Sequence, residues 1–159
     1  MIQIRRIKVF KPRYAVTDAQ GSVSQWAGRF GHEGATGVVD GDEYGFRKDG
    51  RKRFALAAGE REVASAERKD RSGRRWNVSV GERSYELIKP SAFRSKLELR
   101  DGQATLGTIT RKRRNTICDL PDDLPVALQS FLGFIAMALW SREAAASSGG
   151  STGAVAAGV

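Results

Sequence analysis

The segment LPVALQSFLGFIAMALWSR, residues 124–142, is the most apolar part of the chain. Between residues 127 and 140 the apolar run is interrupted only by Gln129, Ser130 and Gly133. A surface helix usually shows one apolar stripe opposite a polar face, because only one face touches the core. In a helix of this sequence apolar side chains would cover every face, so protein or lipid must surround it.

Charged residues suit both ends of such a helix. Asp122 and Asp123 precede it, where carboxylates interact favourably with free backbone N–H groups and the positive end of the helix dipole. Pro125 fits a first turn, and Arg142 places a cation at the other end. We therefore predict a helix over about residues 123–142.

The chain before the helix consists of short alternating segments separated by turn signals roughly ten residues apart. Trp76, Val78 and Val80 would share one strand face, and Tyr85 and Leu87 another. Two further predictions follow from the same pattern. Ile2 and Ile4 alternate, and Ile7 and Val9 continue one position out of phase, which predicts a bulge near Arg5 and Arg6; a weak strand is expected at residues 35–39 within a glycine-rich stretch.

Two environments could surround the helix. A membrane-spanning helix needs about 20 predominantly apolar residues, and the run from residue 131 to 140 is shorter. A closed sheet has an inward face that must be filled. We therefore predict a mainly β fold, a closed antiparallel β-barrel of about 12 short strands around a buried hydrophobic C-terminal α-helix. Residues 1–142 would form this domain, and the Ala/Gly/Ser-rich residues 143–159 a disordered tail.

No catalytic constellation is present in the sequence, and we predict a non-enzymatic protein without a cofactor or metal site. One cysteine and one histidine cannot assemble a zinc site, and Cys118 is expected to be buried and inert. His32 is expected to be structural or exposed. Asp40, Asp42 and Glu43 resemble a fragment of a calcium-binding loop, but a polar hairpin turn is the favoured interpretation. The lone cysteine and the absence of an apolar leader at the N-terminus fit a cytoplasmic location.

The net charge of +9 comes from 27 basic and 18 acidic residues, and such a surface attracts polyanions. In an up-and-down meander, successive turns alternate between the two ends of the barrel. The turns near residues 50, 71, 90 and 113 would then share a basic end, and those near residues 60, 82 and 102 an end of mixed charge. The helix would enter at the mixed end and leave at the basic end. The candidate anion-binding residues are Arg51, Lys52, Arg53, Arg74, Arg75, Arg94, Lys96, Arg111, Lys112, Arg113 and Arg114.

The order of these elements resembles the tubby C-terminal-like superfamily, which includes phospholipid scramblases and the plant LURP-one-related proteins, and in particular its small bacterial members. The stretches that carry the resemblance are YAVTDAQGSV (14–23), FALAAGEREVASAERK (54–69), RRWNVSVGERSYELIKPSAFRSKLELRDGQATLGTITRK (74–112) and LPDDLPVALQSFLGFIAMALW (120–140). The resemblance implies a closed barrel around a hydrophobic C-terminal helix. It also implies association with anionic phospholipid, or with a membrane-bound protein partner, through the basic end.

A monomer is expected, with peripheral attachment at the inner membrane face. Two other functions stay open: a nucleic-acid-binding barrel, whose affinity would fall steeply with salt, and an intracellular scaffolding domain without a small ligand. The basic end could also serve only solubility and the protection of hairpin edges from pairing. Trp76 directly follows Arg74 and Arg75 and is the one candidate for base stacking, although a core position is favoured.

Overall fold

The computed structural model describes residues 1–8, 12–21, 23–28, 34–90 and 95–157. These residues form twelve strands followed by one helix. The elements are β1 (Ile2–Lys8), β2 (Arg13–Thr17), β3 (Val23–Gly28), β4 (Gly34–Val39), β5 (Asp42–Lys48), β6 (Arg53–Ala58), β7 (Arg61–Arg68), β8 (Arg75–Val80), β9 (Arg83–Ile88), β10 (Lys96–Asp101), β11 (Ala104–Lys112), β12 (Asn115–Asp119) and α1 (Val126–Ala157).

The strands form a closed antiparallel barrel in which each strand pairs with its neighbours in sequence. The barrel closes where β1 pairs with β12, in a register that places Ile2 opposite Cys118 and Arg5 opposite Asn115. The predicted fold, a β-barrel with a C-terminal helix in its interior, is confirmed. The weak strand expected at residues 35–39 is β4.

The inward faces of the strands form one hydrophobic core with the helix. Trp26 and Trp76 are fully buried on β3 and β8, so Trp76 occupies the favoured core position. The bulge predicted near Arg5 and Arg6 is observed as a shift in the register between β1 and β2, which falls between Arg6 and Lys8. Ile7 lies within this shift and keeps half of its surface exposed. Val9 lies outside the described residues.

The hairpin turn between β4 and β5 contains two of the acidic residues that resemble a calcium-binding loop. Asp40 and Gly41 have φ values of 50° and 83°. Two successive positive φ values are typical of a type I′ turn, whose twist matches that of the flanking strands. Asp42 starts β5 opposite Val39. The polar hairpin turn that the sequence favours is therefore the observed structure of this segment.

The helix fills the barrel with residues from all of its faces. Phe131, Ile135 and Ala138 are fully buried, as are the two polar residues of the apolar run. The Gln129 side-chain amide donates to the carbonyl of Leu124 at 2.8 Å. The Ser130 hydroxyl donates to a backbone carbonyl of the preceding turn, at 2.8 Å. These bonds satisfy the donors of both polar side chains within the helix, whereas the Gln129 amide oxygen is buried without a partner among the described residues.

The bounds of the helix differ from the predicted 123–142. It begins at Val126, so Asp122 and Asp123 lie before its first turn, and the Asp122 carboxylate lies 3.2 Å from the N-terminal ammonium group of Met1. It continues beyond Arg142 to Ala157. The disorder expected for residues 143–159 stays a prediction. Among the described residues, no helix combines the length and the hydropathy needed to cross a bilayer.

Candidate binding site at the basic end of the barrel

Strand alternation sorts the turns of the barrel between its two ends. The turns β5–β6, β7–β8, β9–β10 and β11–β12 lie at one end, which we call the basic end, and the helix passes out of the barrel there. The turns β6–β7, β8–β9 and β10–β11 lie at the opposite end, where the helix begins. The predicted grouping of the turns, and the predicted direction of the helix, are thereby confirmed.

The opposite end is more acidic than the mixed charge that the sequence predicts. The turns β2–β3 and β4–β5 and the connection from β12 to α1 also lie there, and each adds carboxylates. The acidic residues at or next to this end are Asp18, Asp40, Asp42, Glu43, Glu60, Glu82, Asp101, Asp119, Asp122 and Asp123. The cations Arg61, Arg83 and Arg100 oppose them. The barrel therefore has a charge polarity along its axis, and we call this the acidic end.

At the β5–β6 turn, the three predicted anion-binding residues differ in their surroundings. Arg51 and Lys52 are exposed. Arg53 donates to carboxylates of Asp49 at 2.9 Å and Glu62 at 2.8 Å, and it also lies 3.4 Å from Glu67. The hydrogen bond with Glu62 is the largest cause that raises the pKa of Arg53 and lowers the pKa of Glu62. Arg53 is thus surrounded by three carboxylates of its own chain and contributes little positive potential to solvent.

The β7–β8 turn is organised around Asp70. Its carboxylate accepts hydrogen bonds from the Ser72 hydroxyl at 2.7 Å and from the backbone N–H of Arg74 at 3.1 Å. These bonds, the Ser72 bond first, lower the pKa of Asp70. Arg74 is exposed, whereas the Arg75 guanidinium lies 3.6 Å from Glu86. In the next turn, Lys96 lies 4.0 Å from Glu98, and Arg94 lies outside the described residues.

The β11–β12 turn carries the most concentrated uncompensated charge. Arg111, Lys112, Arg113 and Arg114 are consecutive and all exposed. No carboxylate of the described residues forms an ion pair with any of the four. Arg113 has a φ of 58°, a left-handed conformation that is uncommon for a residue with a side chain. Among the predicted site residues, this group has the composition and exposure that binding an external anion requires.

A cavity of about 510 Å³ opens at the basic end beside the helix. Its apolar lining includes Tyr14, Phe46, Phe134, Met137 and Trp140. Its polar lining includes Arg6, Arg111, Arg113 and Arg114. Burial raises the pKa of Tyr14, against the opposing effect of the Arg6 charge, so the phenol stays neutral near pH 7. Sequence patterns do not predict this cavity. The spacing of apolar residues along strands and helix is the same whether or not the space between these elements is filled.

Contacts at the basic end hold the helix where it leaves the barrel. The Arg142 guanidinium donates to the carbonyl of Arg51 at 2.9 Å and lies over the ring of Phe54, 4.9 Å from its centre. Lys89, only 6% exposed, forms an ion pair with Glu143. Lys89 belongs to a basic turn in the sequence, but its ammonium group pairs with Glu143 of the helix and is not exposed to solvent.

The potential metal ligands include Cys118 and His32, the single cysteine and the single histidine of the chain. Within the described ranges, no group of three or more His, Cys, Asp or Glu residues could hold a metal ion. Cys118 is fully buried, and burial raises the pKa of its thiol to about 12, as expected for an inert cysteine. His32 lies outside the described residues.

Comparisons with family models, with curated proteins and with solved structures found no match to this chain.

Proposed function

We propose that this protein is a non-enzymatic binding module that associates with anionic phospholipid surfaces through its basic end. The observation that carries the proposal is the β11–β12 turn, where four consecutive cations are exposed and have no carboxylate partner among the described residues. We further propose that the chain belongs to the tubby C-terminal-like superfamily. The closed twelve-strand barrel around a C-terminal helix supports that assignment.

The polarity of the barrel supports an oriented encounter with a membrane. Each Lys or Arg near an anionic bilayer contributes about 1 kcal/mol, so four such residues amount to about 4 kcal/mol, on the order of a thousandfold in affinity. The effect falls off within a Debye length of about 10 Å at 0.1 M salt. The carboxylates of the acidic end are repelled by the same surface, which favours approach with the basic end first. A cytoplasmic location with peripheral attachment at the inner membrane face is part of this proposal, as is a monomeric state.

Nucleic acid is a weaker candidate for the same surface. Sequence-tolerant binding of single strands uses aromatic side chains on which bases stack. Trp26, Trp76 and Trp140 are all buried, and no Phe, Tyr or Trp is among the exposed large hydrophobic residues of the described chain. Phosphate contacts alone would give salt-dependent binding without this stacking contribution.

Vesicle co-sedimentation tests the proposal. The wild-type chain should sediment with vesicles containing phosphatidylserine or phosphatidylglycerol and stay in solution with phosphatidylcholine vesicles. Charge reversal of residues 111–114 to Glu should abolish sedimentation. Reversal of Arg61 and Arg83 at the acidic end is the matched control and should leave it intact. Equal binding to neutral vesicles, absence of binding to both, or tighter binding to an oligonucleotide than to anionic vesicles would contradict the proposal.

A further inference from the structure

We propose that the cavity beside the helix at the basic end binds one unbranched alkyl chain of an amphiphile whose oxyanion headgroup lies on the β11–β12 turn. The headgroup chemistry is a carboxylate or a phosphate monoester, as in a fatty acid or a single-chain phospholipid. The inference rests on the proposed function in one respect, the anion-binding role of that turn. It goes further in assigning a concave site that would bind a single dissolved molecule without any bilayer.

The walls of the cavity fit an aliphatic chain. Phe134 presents its ring edge-on to Tyr14, with centroids 5.4 Å apart, and stacks on Phe46 at 5.5 Å. Met137 is half-buried, and a thioether side chain adapts its shape to irregular apolar ligands. A volume of about 510 Å³ lies within the range of about 300–1,000 Å³ that small-molecule sites occupy.

Trp140 is a buried aromatic residue of the cavity wall. Its side chain lines the cavity and is only 5% exposed. The indole Nε1 is buried and has no hydrogen-bond partner in the described part of the chain. Because this nitrogen is inaccessible to solvent, Trp140 contributes to the site through the apolar part of its ring.

The charge at the mouth selects the headgroup. Arg111, Arg113 and Arg114 line the cavity together with its apolar walls, whereas no Asp or Glu is among the described residues that line it. An arginine binds carboxylate and phosphate oxygens with paired N–H donors, so both headgroups suit this mouth. A cationic or uncharged headgroup would gain no such binding energy from these arginines. The site therefore combines an apolar interior with an anion-binding entrance, the arrangement that a single-chain anionic amphiphile requires.

Titration calorimetry on the full chain tests the proposal, with sodium salts of C8, C10 and C12 fatty acids and with dodecyl phosphate, each below its micelle concentration. Binding should saturate at one molecule per chain, and each added methylene should tighten it about fourfold. Changing both Arg113 and Arg114 to Ala should weaken both anions and leave dodecanol unaffected. Binding of laurate alone, or of dodecyl phosphate alone, would identify the carboxylate or the phosphate as the natural headgroup, and either result supports the site.

Two adjacent helix positions provide a matched pair for locating the ligand. Ala144 and Ala145 are both exposed, but only Ala144 is among the residues that line the cavity. Ala144→Phe should weaken laurate binding at least tenfold, and Ala145→Phe should leave it unchanged. Both variants should keep the circular dichroism spectrum of the wild type, since neither position is in the core. Equal effects of the two substitutions, or no saturable binding of any anionic amphiphile to the folded chain, would overturn the proposal.

The vesicle assay separates this proposal from the previous one. If vesicles bind through residues 111–114 while no dissolved amphiphile binds, only the alkyl-chain site is overturned. If laurate binds and anionic vesicles do not, the proposed membrane association is overturned and the cavity site is supported.

Discussion

Gly133 is the helix residue whose replacement tests the packing of the barrel most directly. A Cβ atom at this position would overlap Cδ1 of Ile4 and lie 2.9 Å from Sγ of Cys118. Ile4 belongs to β1 and Cys118 to β12, the two strands whose pairing closes the barrel. Gly133 therefore lets the helix approach the closing strands, and Gly133→Ala should push them apart or displace both side chains.

The expected magnitude follows from two opposing effects. Overpacking a close-packed core costs about 1–3 kcal/mol, whereas replacing a helical Gly by Ala recovers up to about 1 kcal/mol of helix propensity. Gly133→Ala should therefore lower the free energy of unfolding by about 0–2 kcal/mol, and Gly133→Leu by more. Ile4→Val removes Cδ1 and by itself costs about 0.5–1.5 kcal/mol. Because it also removes the overlap, the double variant should be more stable than the sum of the single effects predicts, by about 1 kcal/mol.

Urea denaturation followed by circular dichroism measures this coupling with four proteins: the wild type, the two single variants and the double variant. Ile2 supplies the control, because it is equally buried on β1 but is not near the added Cβ. Ile2→Val combined with Gly133→Ala should be additive within about 0.5 kcal/mol. If Ile4→Val were also additive within that margin, the proposed contact between the helix and the closing strands would be refuted.

Three further outcomes are expected. Gly37→Ala should lower the free energy of unfolding by about 2 kcal/mol or more in denaturant melts, because the new Cβ would lie 2.5–2.8 Å from ring atoms of Trp26. Gly45→Ala on the next strand is the control, because a Cβ there would have no atom within 4 Å. The Cys118 thiol keeps a raised pKa of about 12 against an ordinary value of 9.0, so its contribution to stability is complete below pH 9 and is lost as the pH rises towards 12. Cys118→Ala should therefore show a weaker decline in stability over that pH range than the wild type. Deletion of residues 124–159 should leave no cooperatively folded barrel in calorimetry, because it removes the filling of the interior; a folded truncated domain would contradict the assignment of the helix to the core.

The helix could be assigned from local sequence because its composition admits few environments. A segment with apolar residues on every face, yet too short to span a bilayer, must lie inside protein, and a chain of alternating strands provides a closed interior. The end of the barrel at which each turn lies was predictable for a related reason. Hairpins alternate in direction, so the position of a turn in sequence determines its end, and the cations near residues 50, 71, 90 and 113 had to collect together.

The individual roles of those cations were not predictable, because they depend on which carboxylate the register brings within reach. Arg53 and Arg111 both lie next to basic turns in the sequence, but only Arg53 is surrounded by acidic residues of the neighbouring strand and turn. Lys89 likewise is not part of the exposed basic surface, because it is buried in an ion pair with Glu143. Periodicity predicted the bulge near Arg5 and Arg6, but it did not indicate that Ile7, within the register shift, would be half exposed.

The segment LPVALQSFLGFIAMALWSR therefore indicated the architecture, since a helix that is apolar on every face must be covered and alternating strands supply an inward apolar face that can cover it. The cavity between that helix and the strands is a property of the tertiary structure alone. It depends on the volume that Met137 and Trp140 on the helix leave against Tyr14 on β2, which is distant from them in sequence. Apolar periodicity specifies which side chains face inward, whereas only their packing in three dimensions determines how much space they leave.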